Sequence, residues 1–168
     1  MRISNRLLGP ADTSGLYQAW LASPIANRTA FVITTPDRRI HGATNAVAGT
    51  RFIRQTTTMS SATNGPYLTS WYRSTRYLNA APDSGNRAFI LEISLDEMKF
   101  IRAEALFRLG RLTEAAAIIN PTRVAAGLRP VDASGPPAGR YCVPRKADGS
   151  CGTLFDAIEY EKRIEMYP

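Results

Sequence analysis

The chain has 168 residues, 44% of them hydrophobic and 21% charged, which is an ordinary composition for one globular domain. No segment approaches the run of about 18 apolar residues that crosses a bilayer, and residues 1–15 contain neither the apolar core of a signal peptide nor a cysteine for lipid attachment. The net charge of +7 favours anionic partners, but the arginines are scattered from Arg2 to Arg163, so we favour a solvated surface over a nucleic-acid-binding one.

Residues 1–94 are rich in Thr, Ser, Asn, Gly and Pro, and they predict a loop-rich half with short regular elements. Residues 13–23 (TSGLYQAWLAS) carry apolar side chains at helical spacing and predict a short helix. Residues 30–35 (AFVITT) predict a short strand. Residues 50–59 (TRFIRQTTTM) are rich in β-branched side chains and predict an extended segment.

The sequence becomes helical in pattern after residue 94. A first helix is predicted to begin after Ser94, a suitable N-cap, and to end at Gly110. Its apolar residues form two stripes, which predicts a helix that packs between neighbours on two sides. One stripe consists of Met98, Ile101 and Ala105, and the other of Phe100, Ala103 and Phe107.

A second helix follows at once and ends at Gly127, with a bend or break expected near Asn120 because Pro121 removes a hydrogen bond. The short connection predicts an antiparallel hairpin with the first helix. The hairpin has small residues at the spacing of a tetratricopeptide repeat. They are Ala103, Gly110 and Ala115. One hairpin cannot bury its own apolar faces, so other parts of the chain or neighbouring repeats must cover it.

A third helix is predicted from about Thr153. Thr153 and Asp156 have the spacing of a capping box, and Glu159 and Arg163 form an i,i+4 pair. The predicted fold is therefore mainly α. It is a single domain over residues 1–168, with a loop-rich part (1–94) and a helical scaffold (95–168) that consists of the hairpin and this further helix.

The three helices together carry a motif. Residues 103–106 read AEAL, residues 119–123 read INPTR, and residues 157–165 read AIEYEKRIE. In order, spacing and residue type, this pattern resembles the C-terminal region of the SusD/RagB family of nutrient-binding outer-membrane lipoproteins. The resemblance covers about residues 95–166.

The resemblance implies a non-enzymatic protein of the outer membrane, at the cell surface. Family members lie over a SusC-like TonB-dependent transporter and capture oligosaccharides, or sometimes peptides, with tetratricopeptide-like helices as the scaffold. It implies no cofactor and no nucleic-acid partner, and membrane attachment only through a lipid anchor that this chain lacks. The alternative prediction is a helical-repeat module that binds another protein and no small molecule.

Ligand contacts in the family come largely from aromatic side chains on loops outside the helices. Residues 64–79 are the corresponding candidate here, since aromatic rings stack on sugar faces while arginine and asparagine donate hydrogen bonds to hydroxyls. The predicted ligand-binding set is Trp71, Tyr72, Arg73, Arg76, Tyr77 and Asn79. The alternative is that the rings pack under the helices and the arginines only cover surface.

Cys142 and Cys151 are the only cysteines, and with the single histidine, His41, they are too few for a structural zinc site. They also lack the spacing of a redox pair. The Asp148-Gly149 turn between them favours a hairpin that a disulfide can close, and two free thiols are the alternative. The resemblance favours the disulfide because it implies a domain outside the cytoplasm.

We predict no catalytic site. His41 is accompanied by neither a nucleophile motif nor metal-ligand spacing, so it is predicted to be a lone surface histidine. For the acidic residues of the predicted helices, helix-dipole, solvation and ion-pair roles suffice. Glu104 is also predicted to bind a neighbouring helix through Arg123 or Arg163.

Overall fold

The computed structural model describes residues 2–44, 46–54, 69–75 and 93–166. The chain is mainly α, as predicted, with a small sheet and long irregular connections in its N-terminal half. That half contains β1 (Arg2–Ser4), α1 (Asn5–Leu8), α2 (Leu16–Ala22), β2 (Phe52–Arg54) and β3 (Thr69–Ser74), with single 3-10 turns at Gly9–Ala11 and Ile25–Asn27. The C-terminal half contains α3 (Leu95–Arg108), α4 (Leu112–Ala125) and α5 (Leu154–Met166).

The sheet is antiparallel, with strand order β1-β3-β2 and therefore with β3 in the centre. Along β3 the side chains alternate: Ser70 and Tyr72 are buried, whereas Trp71 and Arg73 are half-buried. The predicted extended segment at 50–59 is confirmed over β2, and its remaining residues lie outside the described ones.

The predicted helix at 13–23 is confirmed as α2, but the predicted strand at 30–35 is wrong. Side chains and the Thr13 amide, not a partner strand, bind the backbone there. The Thr34 amide donates to the Asp12 carboxylate at 3.0 Å, and the Ile33 amide donates to the Tyr72 hydroxyl at 3.3 Å. An apolar β-branched run therefore became an irregular, partly buried segment, because sheet formation needs a neighbouring strand as well as local propensity.

α3 begins and ends as predicted: the Ser94 hydroxyl accepts the Glu97 amide at 3.0 Å, and Gly110 has φ +75°. The prediction that both apolar stripes are buried is wrong. Phe100 and Ala103 are buried, but Met98 and Ile101 are 55% and 48% exposed. α4 and α5 are the described elements that pack extensively against α3.

α4 continues through Pro121 to Ala125, so of the predicted bend or break, the break is absent. Asn120 is fixed by two hydrogen bonds with the backbone of Val131, at 2.9 and 2.8 Å. Arg123, one turn further, is anchored by side-chain bonds described below. These contacts hold the helix on both sides of Pro121, which lacks an amide to donate within the helix.

α5 begins with the predicted capping box, in which the Asp156 carboxylate accepts the Thr153 amide at 2.7 Å and the Asp156 amide donates to the Thr153 hydroxyl at 3.3 Å. The predicted Glu159–Arg163 pair is present at 3.4 Å.

Two apolar clusters form the core, and α5 contributes to both. Tyr160 and Ile164 pack in the first cluster with residues of the N-terminal half, including Ile3, Leu8, Ile33, Ile40, Phe52 and Tyr72. Leu154, Ala157 and Ile158 pack in the second with Phe100, Ala103, Leu106, Ala115 and Ile119. None of the helices in the described ranges combines the length and the apolarity that crossing a membrane requires.

Candidate functional site

A group of charged side chains lies where the N-terminal half meets the helices. We call it the junction cluster, and it consists of Asp37, Arg39, Arg51, Arg123, Tyr160, Glu161 and Glu165. All but Arg51 are buried. Charges are rarely buried unless they are paired, so the contacts of this cluster define what it does.

Arg39 is the centre of the junction cluster. Its Nη1 donates to Glu161 at 2.7 Å and to Glu165 at 2.9 Å, while its Nε and Nη2 donate to Asp37 at 2.9 and 2.7 Å. Burial alone would lower the pKa of Arg39, but the carboxylates of Asp37 and Glu161 raise it well above its ordinary value. The guanidinium therefore joins a loop of the N-terminal half to two positions of α5.

Arg123 likewise joins its own helix, α4, to other segments of the chain. Its Nη1 donates to Glu161 at 2.9 Å, and its Nη2 donates to the carbonyl of Val143 at 2.7 Å. Burial lowers the pKa of Arg123 and raises the pKa of Glu161, and the attraction between the two groups opposes both changes. Glu161 thus accepts hydrogen bonds from two arginines of different segments.

Tyr160 completes the cluster by donating from its hydroxyl to Asp37 at 2.6 Å. Burial raises the pKa of Tyr160 well above its ordinary value, and the Asp37 carboxylate adds to this effect. Because the three arginines and the three carboxylates balance in charge and satisfy one another, we interpret the junction cluster as a structural connection and not as a catalytic centre.

The cluster accounts for several residues of the sequence motif. Arg123, Glu161 and Glu165 are motif residues, but the sequence did not indicate their partners Asp37 and Arg39, since Arg39 and Glu161 are 122 residues apart. Sequence reasoning therefore missed the N-terminal half of the site.

Glu104 has partners other than the predicted ones. It binds Lys162 of α5 at 2.8 Å and Arg108 of α3 at 2.7 Å, so the prediction of Arg123 or Arg163 is wrong. The hydrogen bonds from Lys162 and Arg108 lower the pKa of Glu104. The expectation that Glu104 links neighbouring helices is correct, and the link joins α3 to α5.

A cleft of about 460 Å³ opens beside the junction cluster, between the loop that carries Arg38 and Arg51 and the ends of the helices. We call it the junction cleft. Its lining consists of Arg38, Arg39, Thr50, Arg51, Asp96, Pro121, Thr122, Ala125, Ala126 and Glu165. Its volume is in the range of small-molecule sites in proteins.

The predicted ligand-binding residues occupy different environments. Tyr72 is buried and its hydroxyl bonds the backbone of Ile33, so its ring is not open to a ligand. Trp71 is half-buried against the first core cluster, and Arg73, two residues further along β3, is also half-buried. The remaining three predicted residues, Arg76, Tyr77 and Asn79, lie outside the described ones.

The predicted disulfide is confirmed. Cys142 and Cys151 are bonded, with their Cα atoms 5.7 Å apart. The closed loop is held against the N-terminal half, because the Arg145 amide donates to the carbonyl of Pro10 at 2.7 Å and the Gln18 side chain donates to the carbonyl of Lys146 at 2.9 Å.

His41 is buried, at 6% exposure, so the prediction of a surface histidine is wrong. Its Nδ1 lies 3.1 Å from the carbonyl of Gly42, and its Nε2 has no hydrogen-bond partner in the described ranges. Within those ranges, no three His, Cys, Asp or Glu side chains are grouped so as to hold a metal ion.

Comparisons of this chain with protein-family models, with curated proteins and with solved structures found no match. Any functional assignment therefore depends on the residues and contacts described above.

Proposed function

We propose that this chain is part of a non-enzymatic nutrient-binding protein of the SusD/RagB type. It captures an oligosaccharide at the cell surface and delivers it to a SusC-like TonB-dependent transporter in the outer membrane. The observation that carries the proposal is the use of the motif residues as one scaffold. Asn120, Arg123, Glu161 and Glu165 each bind a segment outside their own helix.

These contacts are informative because a generic helical hairpin does not need bonds from these positions to segments outside its helices. Asn120 holds the backbone of Val131 after α4, and Arg123 holds the carbonyl of Val143 in the disulfide loop. The helices thereby support the loops around them. A scaffold of this kind presents loops for binding and has no need of catalytic groups.

The disulfide supports a location outside the cytoplasm, since reducing compartments keep most protein thiols free. It closes a loop between α4 and α5, where Cys142 is buried at 2% exposure. This feature favours the cell-surface location over a cytoplasmic one.

The proposed glycan-contacting residues of the described strand are Trp71 and Arg73. They share the face of β3 opposite to Ser70 and Tyr72, so an indole and a guanidinium lie on the same side of the sheet. An indole ring stacks on sugar C–H groups, and a guanidinium donates to hydroxyls. We leave Tyr72 out of the proposed set because its ring is buried.

A glycan-array screen followed by calorimetry tests this proposal. The proposal expects binding of an oligosaccharide by the wild type and loss of that binding in Trp71→Ala and in Arg73→Gln. Tyr141→Ala is the matched control, because Tyr141 is an aromatic residue that is 57% exposed and lies next to the disulfide loop. Equal affinity of Trp71→Ala and the wild type would exclude Trp71 as a stacking platform. Arg73→Gln is included because Trp71 also packs on the core.

One observation favours the alternative function, a protein-binding helical module. One side of α3 exposes Leu95, Met98 and Ile101 at 73%, 55% and 48%. Apolar side chains grouped on one helix face are typical of interaction surfaces. If this alternative holds, Met98→Glu with Ile101→Glu should abolish association with another protein, and the wild type should bind no oligosaccharide on the array. If the glycan-binding function holds, the same double variant should bind the oligosaccharide as the wild type does.

A further inference from the structure

The junction cleft has a charge that the described protein groups do not neutralise. Asp96 is paired with Lys99 at 3.0 Å, and Glu165 is paired with Arg39 and Arg51 at 2.9 and 2.8 Å. The junction cluster as a whole is balanced, three arginines against three carboxylates. Arg38 is left over, because its guanidinium has no hydrogen-bond or ion-pair partner in the described part of the chain.

Arg38 is held in position by its backbone and by a glycine. Its amide donates to the carbonyl of Ala126 at 2.9 Å, at the end of α4. Its side chain passes over Gly127, where an added Cβ would lie 3.1 Å from the Arg38 Nε and 3.4 Å from its Cδ. The side chain therefore lies close against the helix end at Gly127, and it lines the cleft while remaining exposed.

Arg51 provides a second, partly available guanidinium. Its Nε and Nη2 donate to one oxygen of Glu165 at 3.1 and 2.8 Å, and its side chain is 42% exposed. Its Nη1 makes no hydrogen bond to the described residues. Because Glu165 fixes one edge of this guanidinium, its other edge is oriented before any ligand arrives, which reduces the entropy lost on binding.

We propose that the junction cleft binds a small ligand through a carboxylate group, with Arg38 as its main contact and Arg51 as the second. Arginine guanidinium groups pair with carboxylates through two parallel hydrogen bonds. Among the described groups, the excess charge in the cleft is a single positive charge, which one carboxylate group of a ligand neutralises. Pro121, Ala125 and Ala126 add an apolar side to the cleft, against which the body of the ligand packs.

This site is separate from the one on β3, since it involves neither Trp71 nor Arg73. Two sources can supply the carboxylate, an acidic sugar or an acidic peptide, and the probes distinguish them. We suggest calorimetry with trigalacturonate, its fully methyl-esterified form, triglutamate and inorganic phosphate. The ester keeps the sugar and removes the charge.

The proposal expects trigalacturonate or triglutamate to bind with an affinity that falls as the ionic strength rises. Arg38→Gln should weaken that binding about tenfold or more, since one charged hydrogen-bonding partner is lost. Arg102→Gln is the matched control, because it removes the same charge from an exposed position of α3 outside the cleft and should leave the affinity unchanged. Thermal unfolding of both variants establishes that each is folded.

Several results would overturn the proposal. They are no binding of either acid, equal binding of the acid and its ester, an Arg38→Gln affinity equal to that of the wild type, and tighter binding of phosphate than of both acids. Binding of only one acid supports the site and identifies the source of its carboxylate. Failure here leaves the proposed glycan contacts on β3 to be judged by their own experiment.

Discussion

The ion pair between Arg123 and Glu161 is the most deeply buried of the described contacts between charged residues, with side-chain exposures of 1% and 0%. Replacing Glu161 with Gln removes the charge that faces both Arg123 and Arg39 and leaves those guanidinium groups buried. We expect a loss of about 3–5 kcal/mol in the free energy of unfolding, the usual result of breaking a buried ion pair. Urea unfolding followed by circular dichroism measures it.

Two variants separate this effect from a general loss of a carboxylate. Glu159→Gln removes an exposed i,i+4 pair on the same helix and should change the free energy of unfolding by less than about 1 kcal/mol. Arg123→Met combined with Glu161→Leu removes both buried charges of the pair and should be less destabilising than the sum of the single changes. Equal losses for Glu159→Gln and Glu161→Gln would contradict the structural role of the cluster.

Gly127 and Gly110 occupy the same position after α4 and α3 and have similar dihedral angles, φ +82° and +75°. An added Cβ meets nothing within 4 Å at Gly110, whereas at Gly127 it lies 3.2 Å from the carbonyl of Pro36 and 3.1 Å from Arg38. Gly110→Ala should therefore lower the free energy of unfolding only by the strain of the left-handed conformation, about 1–2 kcal/mol.

Gly127→Ala should lower the free energy of unfolding more than Gly110→Ala does, because the carbonyl of Pro36 and the Arg38 side chain must also move. Chemical unfolding of the two variants, measured side by side, gives the difference. An equal loss would mean that the loop around Arg38 adapts without strain, and that Gly127 does not hold Arg38 in the junction cleft.

At the scale of elements, Glu104 links α3 to α5 through Lys162. The pKa of Glu104 is lowered in the folded protein, so its stabilising effect is complete above its unfolded pKa and is lost as the pH falls through its folded pKa. Glu104→Gln should therefore unfold at a lower temperature than the wild type at pH 7, and the difference should shrink at pH values below about 4.

Calorimetry of Glu104→Gln, Lys162→Gln and the double variant at several pH values tests this link. If the two residues act as a pair, the double variant is little less stable than either single one. A difference between Glu104→Gln and the wild type that does not change with pH would show that the effect is one of packing.

The disulfide loop is an element held at several points, by the bond between Cys142 and Cys151 and by hydrogen bonds to Pro10 and Gln18. Reducing the disulfide removes the restriction that it places on the unfolded chain, which for a loop of this length amounts to about 2.5 kcal/mol. Thermal unfolding with and without dithiothreitol measures the loss. In the Cys142→Ala, Cys151→Ala variant, the reductant should have no effect.

Elements whose hydrogen-bond partners are near in sequence could be predicted, and elements whose partners are distant in sequence could not. α3 and α5 begin where predicted because Ser94 and Thr153 bind amides three residues away, a distance that the sequence displays directly. The strand predicted at 30–35 failed because its hydrogen bonds involve Asp12, Thr13 and Tyr72, and a single sequence shows none of these partners. The continuity of α4 through Pro121 likewise depends on Val131 and Val143, which lie beyond the helix.

At the scale of the molecule, the candidate sites were harder to predict than the fold. The motif indicated Arg123 and Glu161, yet the loop that carries Arg38 and Arg39 had no sequence signal except two adjacent arginines. That loop reaches α5 across more than a hundred positions of the sequence. Three-dimensional proximity of this kind cannot be inferred from spacing, and both the junction cluster and the junction cleft arise from it.

The two halves of the chain share α5, and this arrangement makes a prediction about cooperativity. The first core cluster joins N-terminal residues to Tyr160 and Ile164, and the second joins α3 and α4 to Leu154 and Ile158. The buried bonds of Arg39 to Glu161 and Glu165 strengthen the same connection. Because unfolding α5 would expose both clusters, the described parts of the chain should unfold as one unit.

The positions of the tryptophans allow a direct test. Trp20 and Trp71 are the only two in the sequence, and both lie in the N-terminal half, whereas the three longest described helices lie after residue 94. Tryptophan fluorescence therefore reports on the first half and far-ultraviolet circular dichroism mainly on the second. We expect the two signals to give the same urea midpoint. A fluorescence transition at lower urea would contradict the prediction, because it would show that the junction cluster does not couple the halves.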